Sequence, residues 1–258
     1  MEMMIAWLLV NQMMMKDNDL LFLSGNDIPF VEAQLVIHQP TIKEIAYIGE
    51  ESFFVGCDLI NFSKNSLSEQ DKMNLEQQTN FDILLAILRE HNAEMLKNRD
   101  CVLLVFALLF PEYQIDIQEK EIVLTKEQEK YSINNNNFDA FKAIFNKMLA
   151  FKRNENQDFN PGGELAKKIA EKFYQRRRKL AENQPAKKKI DIFSRYISVL
   201  AVGEQKNMQE LLNYTVYQLF DEFERYELKL HYDVYLQAKM AGAKDLKEVE
   251  DWMKDIHS

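Results

Sequence analysis

The residues that could do chemistry are scattered. Four histidines stand at positions 38, 91, 231 and 257, without the HxH or HxxxH spacing that sets two imidazoles on one metal. Cys57 lies in the apolar stretch FFVGCDLI, and Cys101 opens the apolar run CVLLVFALLF. Both read as small core residues, not nucleophiles. Asp221, Glu222, Glu224 and Glu227 could pair for acid–base or metal chemistry. They alternate with Arg225 and Lys229, however, as on a solvated helix with i,i+4 ion pairs. The stretch NPGGELAKK has Gly162 and Gly163 before a helix, but no GxxxxGK[ST] loop. The reading is a non-enzyme that needs no cofactor and no metal.

Two other features point to binding. Tyr214, Tyr217, Tyr226, Tyr232 and Tyr235, with Phe220 and Phe223, are more aromatics than one helix stripe can bury, and Trp252 follows on a last amphipathic segment. Surplus tyrosines of this kind suit a partner interface, so Tyr214, Tyr217, Tyr226, Tyr232, Tyr235 and Trp252 are the candidate partner-binding residues. The second feature is a basic segment. Lys167, Lys168, Lys172, Arg176, Arg177, Arg178, Lys179, Lys187, Lys188 and Lys189 give residues 164–189 a net charge of +7 in a chain whose total is −9. The rest of the chain is therefore at −16. A basic segment can bind nucleic acid, dock on an acidic surface or serve as a solvated joint. Only Phe173 and Tyr174 are available to stack on bases, and the overall pI near 5.1 argues against a nucleic-acid coat, which favours the joint or protein contact.

The elements that carry these residues are mostly helices. Seven glycines and five prolines are few for a turn-rich β fold. Short apolar runs at 20–23 and 33–37 predict strands. TIKE at 41–44 is a capping box that starts a helix reaching Gly49, followed by a second piece through Leu59. A weakly polar helix opens at Ser68. Phe81, Leu84, Leu85 and Leu88 recur at helical spacing, and CVLLVFALLF reads as a buried helix ended by Pro111. Ile115 and Ile117, then Ile122 and Leu124, alternate with period two and predict a β-hairpin near 114–133. Phe138, Phe141, Ile144, Phe145, Met148 and Leu149 form one helical stripe capped by an asparagine.

The polar, aperiodic stretch 152–163 reads as a linker between an N-terminal α+β region at 15–151 and a helical C-terminal region at 164–258. In the latter, a basic amphipathic helix precedes Pro185, and IDIFSRYISVLAVG is a short helix stopped by Gly203. Asn207 then caps one long helix over about 208–241, with Leu212, Val216, Leu219, Phe220, Phe223 and Leu230 as its core stripe. DLKE at 245–248 starts a final helix. Residues 1–14 read as an over-long start or an extension. No run approaches the ~20 apolar residues of a membrane span, so no membrane partner is expected. The fold class is mainly α (α+β): a helical bundle with short N-terminal strands and the small hairpin.

Three blocks resemble a known group. HQPTIKEIAYIGEESFF (38–54), DFNPGGELAKKIAEKFYQRRRKLAE (158–182) and TVYQLFDEFERYELKLHYDVYLQAKMAGAKDLKEVEDWMKDIH (215–257) are similar to proteins of the tail-morphogenesis modules of phages and prophages of Gram-positive bacteria, described as structural or tail-assembly-chaperone-like. The resemblance implies a non-enzymatic protein of the host cytoplasm, or of the virion, whose partners are other tail or assembly proteins, the tape-measure protein among them. The alternative is a nucleic-acid-associated packaging or regulatory adaptor using 167–189.

Overall fold

The computed structural model describes residues 19–63, 77–89, 96–150, 192–243, 249 and 251–253. The extension at 1–14, the helix from Ser68, the linker at 152–163, the basic segment and the capping box at 245–248 lie outside them. The chain is mainly α with small antiparallel β elements. In order these are α1 (Asp19–Leu23), β1 (Ile28–Phe30), a 3-10 turn (Val31–Ala33), β2 (Leu35–Ile37), α2 (Ile42–Ile48), α3 (Glu50–Ile60), α4 (Asn80–Leu88) and α5 (Leu96–Leu109). There follow β3 (Gln114–Ile117), β4 (Glu121–Lys126), β5 (Glu129–Asn134), α6 (Phe138–Met148), α7 (Ile192–Gly203), α8 (Met208–Leu212) and α9 (Val216–Met240).

Five expectations need correction, the first being the asparagine cap of α6: Asn137 makes no capping bond, because its side chain is spent on Asn134 N and Ser132 O of β5. Residues 20–23 are a helix, not a strand, and the hairpin partner of Leu35–Ile37 is Ile28–Phe30, in register Ile28 to Ile37 and Phe30 to Leu35. A four-residue apolar run fits either period, and tertiary packing decides it. Phe22 is buried with its ring 5.5 Å from that of Tyr217, and the carbonyl of Leu23 accepts a hydrogen bond from Gln218 Nε2 at 2.7 Å. The hairpin near 114–133 is a three-stranded meander, β3-β4-β5. Its second turn uses Glu127 at φ 56 with no glycine, so the turn left no mark in the sequence.

The long helix expected at 208–241 is two helices. Thr215 is extended and caps α9: its hydroxyl accepts from Gln218 N at 3.3 Å, and Gln218 Oε1 accepts from Thr215 N at 2.8 Å. Thr215 also bridges Thr41, and Ile42 N donates to Tyr214 O at 2.9 Å. The carbonyl that an unbroken helix would use internally is thus bound to the start of α2. Leu230, finally, is 47% exposed and lies outside the core stripe.

Four other readings hold in detail. Thr41 and Glu44 form a full capping box, Asn207 caps α8 by accepting from Gln209 N at 2.9 Å, Gly49 separates α2 from α3, and α5 stops before Pro111. A second box, Thr79 with Asp82, starts α4.

One apolar core runs through both halves of the described chain, from Phe22 to Phe223. Its centre is aromatic. The Phe141 ring lies 6.1 Å from Phe30, 5.7 Å from Phe106, 6.3 Å from Phe110, 6.1 Å from Phe138 and 5.7 Å from Phe145. Helix α5, apolar nearly all round, packs chiefly on α3, where Gly56 lets the backbones approach.

Candidate interaction surface

The surplus aromatics lie on α9, just before it at Tyr214 and beyond it at Trp252, and α7–α9 are tied to the rest of the fold at several points. Glu50 Oε1 accepts from the backbone N–H of Ile192 and, at 3.3 Å, of Phe193, so a carboxylate from α3 satisfies free donors at the start of α7. Phe193 stacks on Phe54 with centroids 5.2 Å apart, and Tyr196 lies parallel to Phe223 at 3.7 Å. Lys206 pairs with Glu222, reaches Glu204 at 4.0 Å, and donates to Tyr214 Oη at 3.1 Å. Burial pushes its ammonium down, but the bonds to Glu222 and Tyr214 outweigh that and hold it above the ordinary lysine range.

These contacts sort the candidate partner-binding residues. Tyr217 is a core residue: it is 2% exposed and its hydroxyl reaches Asp19 Oδ1 at 3.2 Å. Tyr214 is half-buried and engaged by Lys206. Tyr226 is half-buried beside Gly203, where a Cβ would come within 2.2 Å of its hydroxyl. Tyr232, Tyr235 and Trp252 are half-buried, and Trp252 O accepts from Arg225 Nη1 at 3.2 Å. All ten residues of the candidate basic patch lie outside the described residues.

Sequence reasoning missed the aliphatic residues beside the tyrosines. Phe223 is the last buried residue of α9, yet the helix continues to Met240. Leu230 and Val234 lie on one side of this stretch, Leu228, Tyr232 and Tyr235 on a second, and Leu236 and Met240 on a third. Leu230, Val234, Leu236 and Met240 are exposed by 47, 57, 37 and 86%. Lys229, His231, Asp233, Gln237 and Lys239 stand between them, so the stretch is mixed in character and its apolar residues are not gathered on one core-facing stripe. Val202, Met208 and Met253 add exposed apolar residues in the same part of the chain. Leu230 is among the residues expected in the core stripe, whereas Val234, Leu236 and Met240 are not.

Another polar cluster lies beside the β1–β2 hairpin. His38 Nδ1 is 2.8 Å from Asp27 Oδ1, and its Nε2 is 3.2 Å from Glu44 Oε2. The Thr41 hydroxyl donates to Glu44 and accepts from its backbone N–H, so it is engaged in the cap and not aligned on the imidazole. This is a clamp joining the start of the β-hairpin to α2. Burial lowers the His38 pKa, but the two carboxylates outweigh it and leave it raised. Burial likewise raises Glu44, but its bonds to Thr41 and His38 leave it lowered.

A histidine raised in the folded state adds stability that is complete below its unfolded pKa and is lost as pH rises through the folded one. A lowered glutamate does the reverse, losing its contribution as pH falls. Both contributions are therefore complete between the ordinary values of 4.5 and 6.5. Thermal melts of the wild type and His38→Gln should differ most in that window and converge as pH rises above the folded His38 pKa. A difference independent of pH would contradict the clamp.

The cysteines have no such partners: Cys57 and Cys101 are both buried thiols, and burial drives Cys57 far up. Among the described residues no helix is long and apolar enough to cross a membrane.

Residues 186–257, which hold α7–α9 and the exposed apolar stretch, match the model of a family described as the YomV second domain. That family is phage-derived, of a Bacillus prophage, and the match supports a phage origin for the chain. No curated protein and no solved structure matches it.

Proposed function

We propose that the chain is a non-enzymatic phage protein that acts in tail assembly, holding another assembly protein against the C-terminal half of α9. The observation that carries this is the set of exposed apolar residues Leu230, Val234, Leu236 and Met240, which lie beyond the last core residue of α9, Phe223. Supporting it are the phage-derived family over the same residues and the resemblance of three blocks to tail-module proteins. The client that fits best is the tape-measure protein, whose long apolar helices need cover until a tail tube encloses them. An amphipathic or apolar helix laid against 228–240 is the expected mode, with anchors at i, i+4 and i+7. The host cytoplasm is where such an encounter takes place.

Co-expression tests the reading. With the wild-type chain present, the tape-measure protein of the same phage should move into the soluble fraction. Leu230→Lys with Val234→Lys should return it to the pellet while leaving the melting temperature of the chain unchanged, because both positions are exposed. A tape-measure protein whose solubility ignores the wild-type chain contradicts the assignment of client. One kept soluble equally by the double variant contradicts the assignment of surface.

A further inference from the structure

At about 100° per residue, Phe223, Glu227, Leu230 and Val234 fall within roughly 60° of one another on α9. With Phe220 they make the alternating three- and four-residue spacing of a helix-packing seam. The first part of this seam is covered by α7. Tyr196 lies parallel to Phe223 at 3.7 Å and edge-on to Phe220 at 5.3 Å, and Phe193 meets Phe220 at 6.2 Å. Burial, and then the charge of Glu227, push the Tyr196 hydroxyl up, so Glu227 stands near the same ring. Helix α7 ends at Gly203, next to the Tyr226 hydroxyl, while α9 runs on to Met240. The seam thus continues past the helix that packs on it, and its next apolar residues, Leu230 and Val234, are exposed.

The opposite side of α9 is taken. Arg225, Leu228, Tyr232 and Tyr235 lie within roughly 80° of one another, about 150° from the seam, and all are half-buried. Arg225 Nη1 donates to Trp252 O at 3.2 Å, so the chain beyond α9 returns to that side. Leu236 falls beside this group, and Met240 between it and the seam. The open seam is acidic at its margins. Glu227 stands in it and Asp233 at its edge, both exposed, whereas Lys229 and Lys239 lie at least about 100° from Leu230 and Val234.

We infer that one helix of a partner protein takes the place along α9 that α7 leaves at Gly203, with apolar residues on Leu230 and Val234 and a lysine or arginine against Glu227. The occupant is a helix because the exposed seam repeats the spacing on which a helix, α7, already packs lower down. A second copy docked seam to seam would bring Glu227 and Asp233 of both chains into one interface with no cation on either seam to offset them. The inference rests on the proposed function for the existence of a partner, and adds which face of α9 that partner uses. Tyr232 and Tyr235 lie on the other side.

Two measurements on the full chain co-expressed with the tape-measure protein test it. A photo-cross-linking residue in place of Leu230 or Gln237 should reach partner sites about seven residues apart, as on a helix lying alongside, against about three on an extended chain. Wild-type and variant chains with different tags then compete for the tape-measure protein. Leu230→Asp and Val234→Asp should each weaken capture at least roughly tenfold, the loss of a buried aliphatic contact. Leu236→Asp and Met240→Asp should each weaken it less than about threefold. Glu227→Lys should weaken capture at low salt and less so at high salt. Cross-link sites about three residues apart overturn the inference and leave the proposed function standing. So do larger losses at Leu236 and Met240 than at Leu230 and Val234, or a Glu227→Lys chain that captures as well as the wild type at low salt. Cross-links to a second copy, or to residues 164–182 of the chain itself, overturn it too. A tape-measure protein captured by no chain overturns the proposed function and the inference with it.

Discussion

Replacing Phe141 by alanine should cost about 3–5 kcal/mol of stability, the range for a fully buried phenylalanine. Phe141 has 0% exposure and five aromatic rings within 6.3 Å, drawn from β1, α5, α6 and the end of α5 at Phe110. Stacked and tilted pairs at these distances add to the apolar burial. The surrounding rings belong to different elements, so they cannot collapse together into the space left behind, which places the cost in the upper part of the range. A denaturant midpoint lowered with an unchanged slope is the expected result. A variant nearly as stable as the wild type would mean that the aromatic centre does not hold the sheet and helices together.

Gly56→Ala should destabilise as well, against the helical preference of the substituted residue. Alanine is favoured over glycine in a helix interior by about 1 kcal/mol, so propensity alone predicts a gain. At Gly56, however, a Cβ would lie 2.5 Å from the Cys101 carbonyl oxygen and 2.6 Å from Val105 Cγ2. A backbone carbonyl inside α5 cannot turn aside, so α3 and α5 must separate along their contact. Overpacking of this kind costs about 1–3 kcal/mol, and the rigid neighbour sets it near the top.

Gly203→Ala gives the contrast. The obstruction there is the hydroxyl end of Tyr226, which can rotate away, and a change within about 1 kcal/mol is expected. Equal losses at the two glycines would show that the α3–α5 approach is not special.

The sequence revealed elements where a local signal and the tertiary environment agree. The capping box at Thr41, the glycine at 49 and the phenylalanine stripe of α6 all act within one or two turns, and each is found where the spacing put it. Illegible features were those decided by distant partners. LLFL is a helix because Phe22 meets Tyr217, nearly two hundred residues away along the chain. The break at Thr215 was written locally as TVYQ, a Thr-x-x-Gln box, but the apolar spacing on both sides concealed it. What makes the break useful is the bridge to Thr41.

For the interaction surface, tyrosines were the guide, and they proved uneven. Tyr217 supports the core, Tyr214 and Tyr226 fasten α7–α9 together, and only the Tyr232–Tyr235 stretch accompanies the exposed apolar residues. A tyrosine carries a polar handle that a fold can use internally. An exposed leucine or valine has none, and is the better marker of an outside partner when several cluster on one helix.

On the proposed function, the C-terminal half of α9 binds another protein. Hydrogen exchange measured on the chain alone and in complex with the tape-measure protein tests it most directly. Amides of 228–240 should exchange readily in the free chain and become protected in the complex, while those of 216–223, already rooted in the core, should change little. A stable complex that leaves 228–240 as exposed as before would contradict it.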